Sequence, residues 1–160
     1  MYPYFSKIAG EQKLYAAQNE AEPGDRLRAF LEKNPAYGNL LFQVTGGQGA
    51  FPVAGAKIVI IKDLDDTHAF SVTEMTDESG RTQGMYLPAP SRNLSQTPGN
   101  GDVFAKYRAE ITAAGYIPVQ VVDIPVFDGI VTIQPVDMQP DIGGKQSDRM
   151  QTVEDKEPNL

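Results

Sequence analysis

Between residues 38 and 140 glycine, proline, asparagine and aspartate cut the chain into short runs of β-branched and aromatic residues. That punctuation limits the fold more than any other feature. AKIVIIK (56–62) is a β-branched run of the length of one buried strand. AKYRAEITAA (105–114) alternates, with Tyr107, Ala109 and Ile111 on one face and Arg108, Glu110 and Thr112 on the other. NLLFQVT (39–45), HAFSVTEMT (68–76), RTQGMYLPAP (81–90), GYIPVQVVDIPVF (115–127) and GIVTIQPVDMQP (129–140) supply five more candidates. The prolines inside 115–127 point to an edge strand. Seven short strands with a single helical stretch predict a mainly β fold, a sandwich or a small barrel. The 15 glycines and 12 prolines among 160 residues fit that reading better than a helical bundle.

The one helical stretch is GDRLRAFLEKNP. Leu27, Phe30 and Leu31 fall on one face at i, i+3 and i+4, Asp25 caps or charges the start, and Pro35 ends it. Ahead of it, MYPYF gathers Tyr2, Tyr4 and Phe5, whose apolar area is unfavourable to leave in water. These aromatics either fold back on the domain or meet a partner. The last segment, DIGGKQSDRMQTVEDKEPNL, has no period and few large apolar residues, so a flexible acidic tail is expected. The chain therefore divides into an extension with a short helix (1–37), a β region (38–140) and a tail (141–160).

The formal charge of −7 disfavours nucleic acid and anionic lipid as partners. No cysteine is present, which removes disulfides, thiolate nucleophiles and thiolate metal sites; His68 is the single histidine. No apolar run approaches the roughly 18 residues of a membrane span, so no membrane insertion is expected. MYPYFSKIAGEQKLYAAQ lacks the basic and apolar regions of a secretory signal.

Four stretches invite a chemical reading. Asp63, Asp65 and Asp66 in KDLDDTH suggest calcium, but the glycine and distant glutamate of an EF-hand loop do not follow, and an acidic turn accounts for them. His68 with Asp65 and Ser71 resembles a nucleophilic triad on paper. Nothing in the spacing brings the three together, no G-x-S-x-G elbow exists, and a surface or turn histidine is expected. In TDESGRT, Asp77 and Glu78 project oppositely on an extended chain, so they suit a hairpin turn better than an acid/base pair. Asp77 is expected to bond the backbone two residues on and Gly80 to take φ > 0, with Tyr86 and Leu87 re-entering the fold. The glycines of VTGGQGAFPVAGA lack GK[ST] and a following helix, so they are no phosphate loop.

Taken in order, NLLFQVTGGQGAFPVAGAKIVI, TDESGRT, YLPAPSR and YRAEITAAGYIPVQVVDIPVFDGIVTIQPVDMQP resemble the carboxypeptidase-regulatory-like, transthyretin-like β-sandwich domains. The resemblance covers about residues 38–140. LPAPSRNLSQTPG and IPVFDGIVTIQPVDMQP look most like the version that accompanies the hydrolytic domain in spore cortex-lytic enzyme precursors and related cell-wall proteins. It implies a seven-stranded Greek-key sandwich acting as a non-catalytic accessory, binding or assembly module. A sibling group, the collagen-adhesin B-type domains, forms a Lys–Asn/Asp isopeptide promoted by a buried glutamate. Here NLLFQVT has no lysine and Glu110 faces away from Tyr107 and Ile111, so that bond is not expected.

The expected function is thus a structural or interaction module of a bacterial envelope, spore or surface assembly, without enzyme activity and without cofactor. The expected partner is a protein or a second copy of the chain, engaged through Tyr2, Tyr4, Phe5, Leu27, Phe30 and Leu31 or through a sheet edge. The alternative is a targeting or regulatory partner of a cell-wall hydrolase, in contact with peptidoglycan.

Overall fold

The computed structural model describes residues 23–93, 99, 102–143 and 150–154. Among the described residues one helix, α1 (Pro23–Lys33), precedes nine strands: β1 (Ala36–Gly46), β2 (Phe51–Pro52), β3 (Lys57–Asp63), β4 (Ala69–Met75), β5 (Met85–Ala89), β6 (Ala105–Thr112), β7 (Val119–Val126), β8 (Val131–Met138) and β9 (Gln151–Glu154). They form two mixed sheets, and neither closes into a barrel. In the first, β8 runs parallel along one side of β1, while β5 and β2 pair antiparallel with its two ends on the other side. The second has the order β4-β3-β6-β7-β9.

Alternation makes the core. Leu40, Phe42 and Val44 of β1 face Ile58 and Ile60 of β3, Tyr107 and Ile111 of β6, and Val121 and Ile124 of β7 within one buried cluster. Tyr107 joins the sheets through a hydroxyl that donates to Pro88 O at 2.7 Å. Burial in this apolar setting pushes its phenol well above the usual tyrosine range.

The seven expected strands are present, but nine form among the described residues. β2 is the return of the GGQGAFPVAG loop, which folds back antiparallel on the end of β1. β9 lies inside the segment expected to be a flexible tail; its pairing with residues 119–122 of β7 supplies an order that three polar residues and one valine do not signal alone. β7 is consequently not an edge where β9 covers it. Its Pro125 lies beyond the paired stretch, next to a bulge at which Asp123 has φ 58°, so the missing N–H interrupts no ladder on that side.

TDESGRT also differs from expectation. Asp77 Oδ1 does accept from Ser79 N (2.8 Å), Ser79 Oγ (2.6 Å) and Arg81 N (3.1 Å), and Gly80 takes φ 75°. Yet β4 and β5 belong to different sheets, so the turn carries the chain between sheets and is no hairpin. It also completes the side of β1 left between β5 and β2. Val44 N donates to Gly80 O, Thr82 N to Phe42 O, and Phe42 N to the buried Thr82 Oγ1. Leu87 enters the core, whereas Tyr86 points outward.

Candidate functional site

Two places gather exposed or unusual chemistry: the surface under α1 and the free side of β8. α1 lies on the β3–β4 end of the five-stranded sheet. Leu27 is buried in the core, and Phe30 packs at 5.6 Å from Phe70, which in turn meets Tyr107 edge-on at 6.4 Å. Leu31 is half-buried against the same cluster. This face of α1 is therefore engaged with the chain's own sandwich: Leu27 is closed to a partner, and Phe30 and Leu31 keep only part of their surface. Tyr2, Tyr4 and Phe5 lie outside the described residues.

His68 lies in the β3–β4 turn, as one of the two expected placements has it, but not at the surface. His68 is buried, and Asp65, expected to be out of reach, lies 2.8 Å from its Nδ1. The reason is local: Asp65 Oδ1 accepts the backbone N–H groups of Thr67 and His68, each at 2.8 Å, which folds the turn onto itself. α1 then brings Arg26 across, with Nε 2.5 Å from Asp65 Oδ2 and Nη1 beside both ring nitrogens of His68, 2.8 Å from Nδ1 and 3.0 Å from Nε2. The hydrogen bond from Thr67 N, followed by those from His68 and the Thr67 hydroxyl, holds the Asp65 carboxyl far below the usual carboxylate range.

Thr67 Oγ1 lies 2.7 Å from Nδ1, the same ring nitrogen that Asp65 meets. The imidazole therefore does not link a hydroxyl to a carboxylate across its two nitrogens, as a catalytic triad requires. The cluster fastens the helix. The other carboxylates of KDLDDTH diverge: Asp63 takes the guanidinium of Arg108 on two oxygens, at 2.8 and 3.1 Å, and Asp66 is exposed. Among the described residues no three His, Cys, Asp or Glu side chains converge as metal ligands.

Between α1, the β3 end and residues 90–91 and 102–106 runs a cleft of about 920 Å³. Lys62 lies in its wall, with Nζ 2.7 Å from Lys106 O and 5.5 Å from the ring centres of both Phe30 and Tyr107. Burial lowers its ammonium pKa against the opposing pull of Asp63 and Asp102. Sequence reasoning missed this amine, because its burial comes from a helix some 30 positions away.

The second place is the free side of β8. Asn39 N donates to Ile130 O at 2.9 Å, and Asn39 to Gly46 pair in parallel with Val131 to Met138. Even-numbered residues of β8 therefore bond β1, and odd-numbered ones direct their backbone groups away from the sheet. Among the described residues no strand pairs with that side. Its second half is blunted: Pro135 has no N–H, and Gln134 Nε2 donates to Pro135 O at 3.2 Å. The first half is open, and Ile130, Val131 and Ile133 there are 53%, 56% and 63% exposed. No helix among the described residues is long and apolar enough to cross a membrane.

The fold places the chain among β-sandwich proteins, mainly β with two sheets packed face to face. No family model and no curated protein matches it. Among solved structures it is similar to the Bacillus anthracis TIE protein, at 15% identity over 66% of this chain and 17% of that one, with a TM-score of 0.45. It is also similar to catechol 1,2-dioxygenase from Pseudomonas arvilla C-1, at 16% identity over 71% and 55% and a TM-score of 0.46. A third is GBS52, the minor pilin of Streptococcus agalactiae, at 14% identity over 71% and 49% and a TM-score of 0.44. The chain spans less than two thirds of each of these proteins.

Proposed function

We propose that this protein is a non-catalytic interaction module of a bacterial envelope, spore or surface assembly. The reading rests on one observation, the open half of the β8 edge with Ile130, Val131 and Ile133 exposed beside it. Soluble surfaces usually blunt such an edge with charge, proline or a covering segment. Here proline and a side-chain hydrogen bond blunt one half, and aliphatic residues border the other. The order of motifs across residues 38–140 supports a transthyretin-like domain, and with it an accessory role and a surface setting. The buried His68, held between Arg26 and Asp65, is consistent with a structural use of the one histidine.

The module docks through its N-terminal segment or its free sheet edge. Removal of residues 1–20 is the test, read by circular dichroism and by size-exclusion chromatography with light scattering. The expected outcome is a folded protein that no longer assembles; a truncated protein that assembles as the full chain does overturns N-terminal docking. A peptidoglycan pull-down separates the alternative. Retention of the full chain there, without self-assembly, favours a targeting partner of a cell-wall hydrolase.

A further inference from the structure

We propose that the open half of the β8 edge receives the Tyr2-Pro3-Tyr4 segment of a second copy as an added antiparallel strand. The inference rests on the interaction-module reading above and names its acceptor and its occupant. The acceptor is short and defined. Val131 and Ile133 turn both their N–H and their C=O groups outward, and Pro135 ends the usable stretch. The free backbone groups thus recur two residues apart, with aliphatic side chains beside them on the outer face of the sheet.

Tyr2-Pro3-Tyr4 carries the matching period. A donor strand that bonds through Tyr2 and Tyr4 offers two N–H and two C=O groups at the required spacing. Pro3 then faces away from β8, where its missing N–H breaks no bond and prevents a further strand from adding. In that register both tyrosine rings fall on the face that Val131 and Ile133 occupy, alongside the outward-pointing Tyr86 and Leu41 of the neighbouring strands. Shifting the segment by one residue directs the proline at β8 and removes a bond, so the register is specified.

Fold position favours a second copy as the source. α1, which the segment precedes, is fastened at the β4 side of the five-stranded sheet by Arg26, Asp65 and Phe70. β8 stacks over β7 at the opposite flank, where Thr132 Oγ1 meets Pro125 O. The 18 residues between Tyr4 and Pro23 are long enough, at about 3.3 Å each, to reach β8 only by crossing the width of the sandwich, a path that a neighbour's segment does not need.

Complementation between two defective variants tests this. Tyr2→Ser/Tyr4→Ser disables the donor and keeps the edge; Ile133→Lys disables the edge and keeps the donor, with Ile133→Pro as a second edge variant that removes an outward N–H and adds no charge. Circular dichroism verifies that each is folded. Light scattering is expected to show each variant alone self-associating at least about tenfold more weakly than the full chain, and their mixture forming one-to-one dimers that do not extend. If removal of residues 1–20 abolishes assembly while both Ile133 variants assemble normally, the edge is not the acceptor and the broader reading survives. If the full chain is monomeric and the truncated one associates, the segment covers its own edge and the second-copy proposal is overturned.

Discussion

Gly80 holds two roles in one residue. Its φ of 75° lies in the left-handed region, and a Cβ built there falls 2.3 Å from Val44 O, the carbonyl of the strand that the turn crosses. Gly55 shares the conformation at φ 70° but has open space around its Cβ position. Gly55→Ala is expected to destabilise the protein by about 1 kcal/mol through backbone strain alone, and Gly80→Ala by about 2 to 3 kcal/mol or more, because a backbone atom must also move. Urea unfolding of the two variants checks this, and equal effects mean that the close approach is immaterial. The same turn sets a pH response. Hydrogen bonds from the Ser79 hydroxyl and the Arg81 N–H depress the Asp77 carboxyl, as Arg108 depresses Asp63. A carboxyl whose folded pKa is depressed contributes stability above its unfolded value, about 3.9, and loses it as pH falls through the folded value. Urea midpoints measured from pH 7 to pH 2 should therefore drop below about pH 4, and Asp77→Asn should show a shallower drop. The local chemistry of this turn was legible in TDESGRT, since Asp77 and Gly80 act through the backbone within four residues.

At the scale of elements, local and non-local information part company. α1 was legible because Leu27, Phe30 and Leu31 share a face whatever lies opposite. What lies opposite was not, because a 3.6-residue period states that a face is apolar and not whether the chain or another molecule covers it. The difference has a measurable consequence: Leu27→Ala is expected to cost about 2 to 3 kcal/mol of global stability as a core truncation, whereas Arg28→Ala, at an exposed pair with Asp25, stays within about 0.5 kcal/mol. A Leu27 variant as stable as the parent shows that α1 does not share the core. β9 stands at the other extreme. Gln151, Thr152, Val153 and Glu154 carry neither an alternating pattern nor a bounding turn signal, and they become a strand because β7 offers an unpaired side. The turn position of His68 was legible but its burial was not, since the groups that bury it come from α1 and the turn together.

Over the whole molecule, seven of the nine strands were legible as runs, but the assignment of runs to sheets was not. A turn such as Thr76–Thr82 reverses or redirects the chain with the same residues whether the next strand pairs with the last or crosses to the facing sheet. That choice depends on which side of β1 is still free. The two sheets then meet mainly through apolar side chains, which are tolerant of small rotations, and directional contacts between their strands include the Tyr107 hydroxyl on Pro88 O at 2.7 Å and the longer Thr132 Oγ1 on Pro125 O at 3.4 Å. Tyr107→Phe keeps the ring that touches Phe70 and deletes only the hydroxyl bond to Pro88 O. The cost is expected to be about 1 to 2 kcal/mol, the net value of a buried hydrogen bond whose acceptor loses a partner. Because the ring still fills its place, the urea midpoint should fall with the slope of the transition unchanged, since the surface exposed on unfolding is the same. A reduced slope means instead that the sheets no longer pack as one cooperative unit, and then the hydroxyl sets the relation between the sheets as well as adding to their stability.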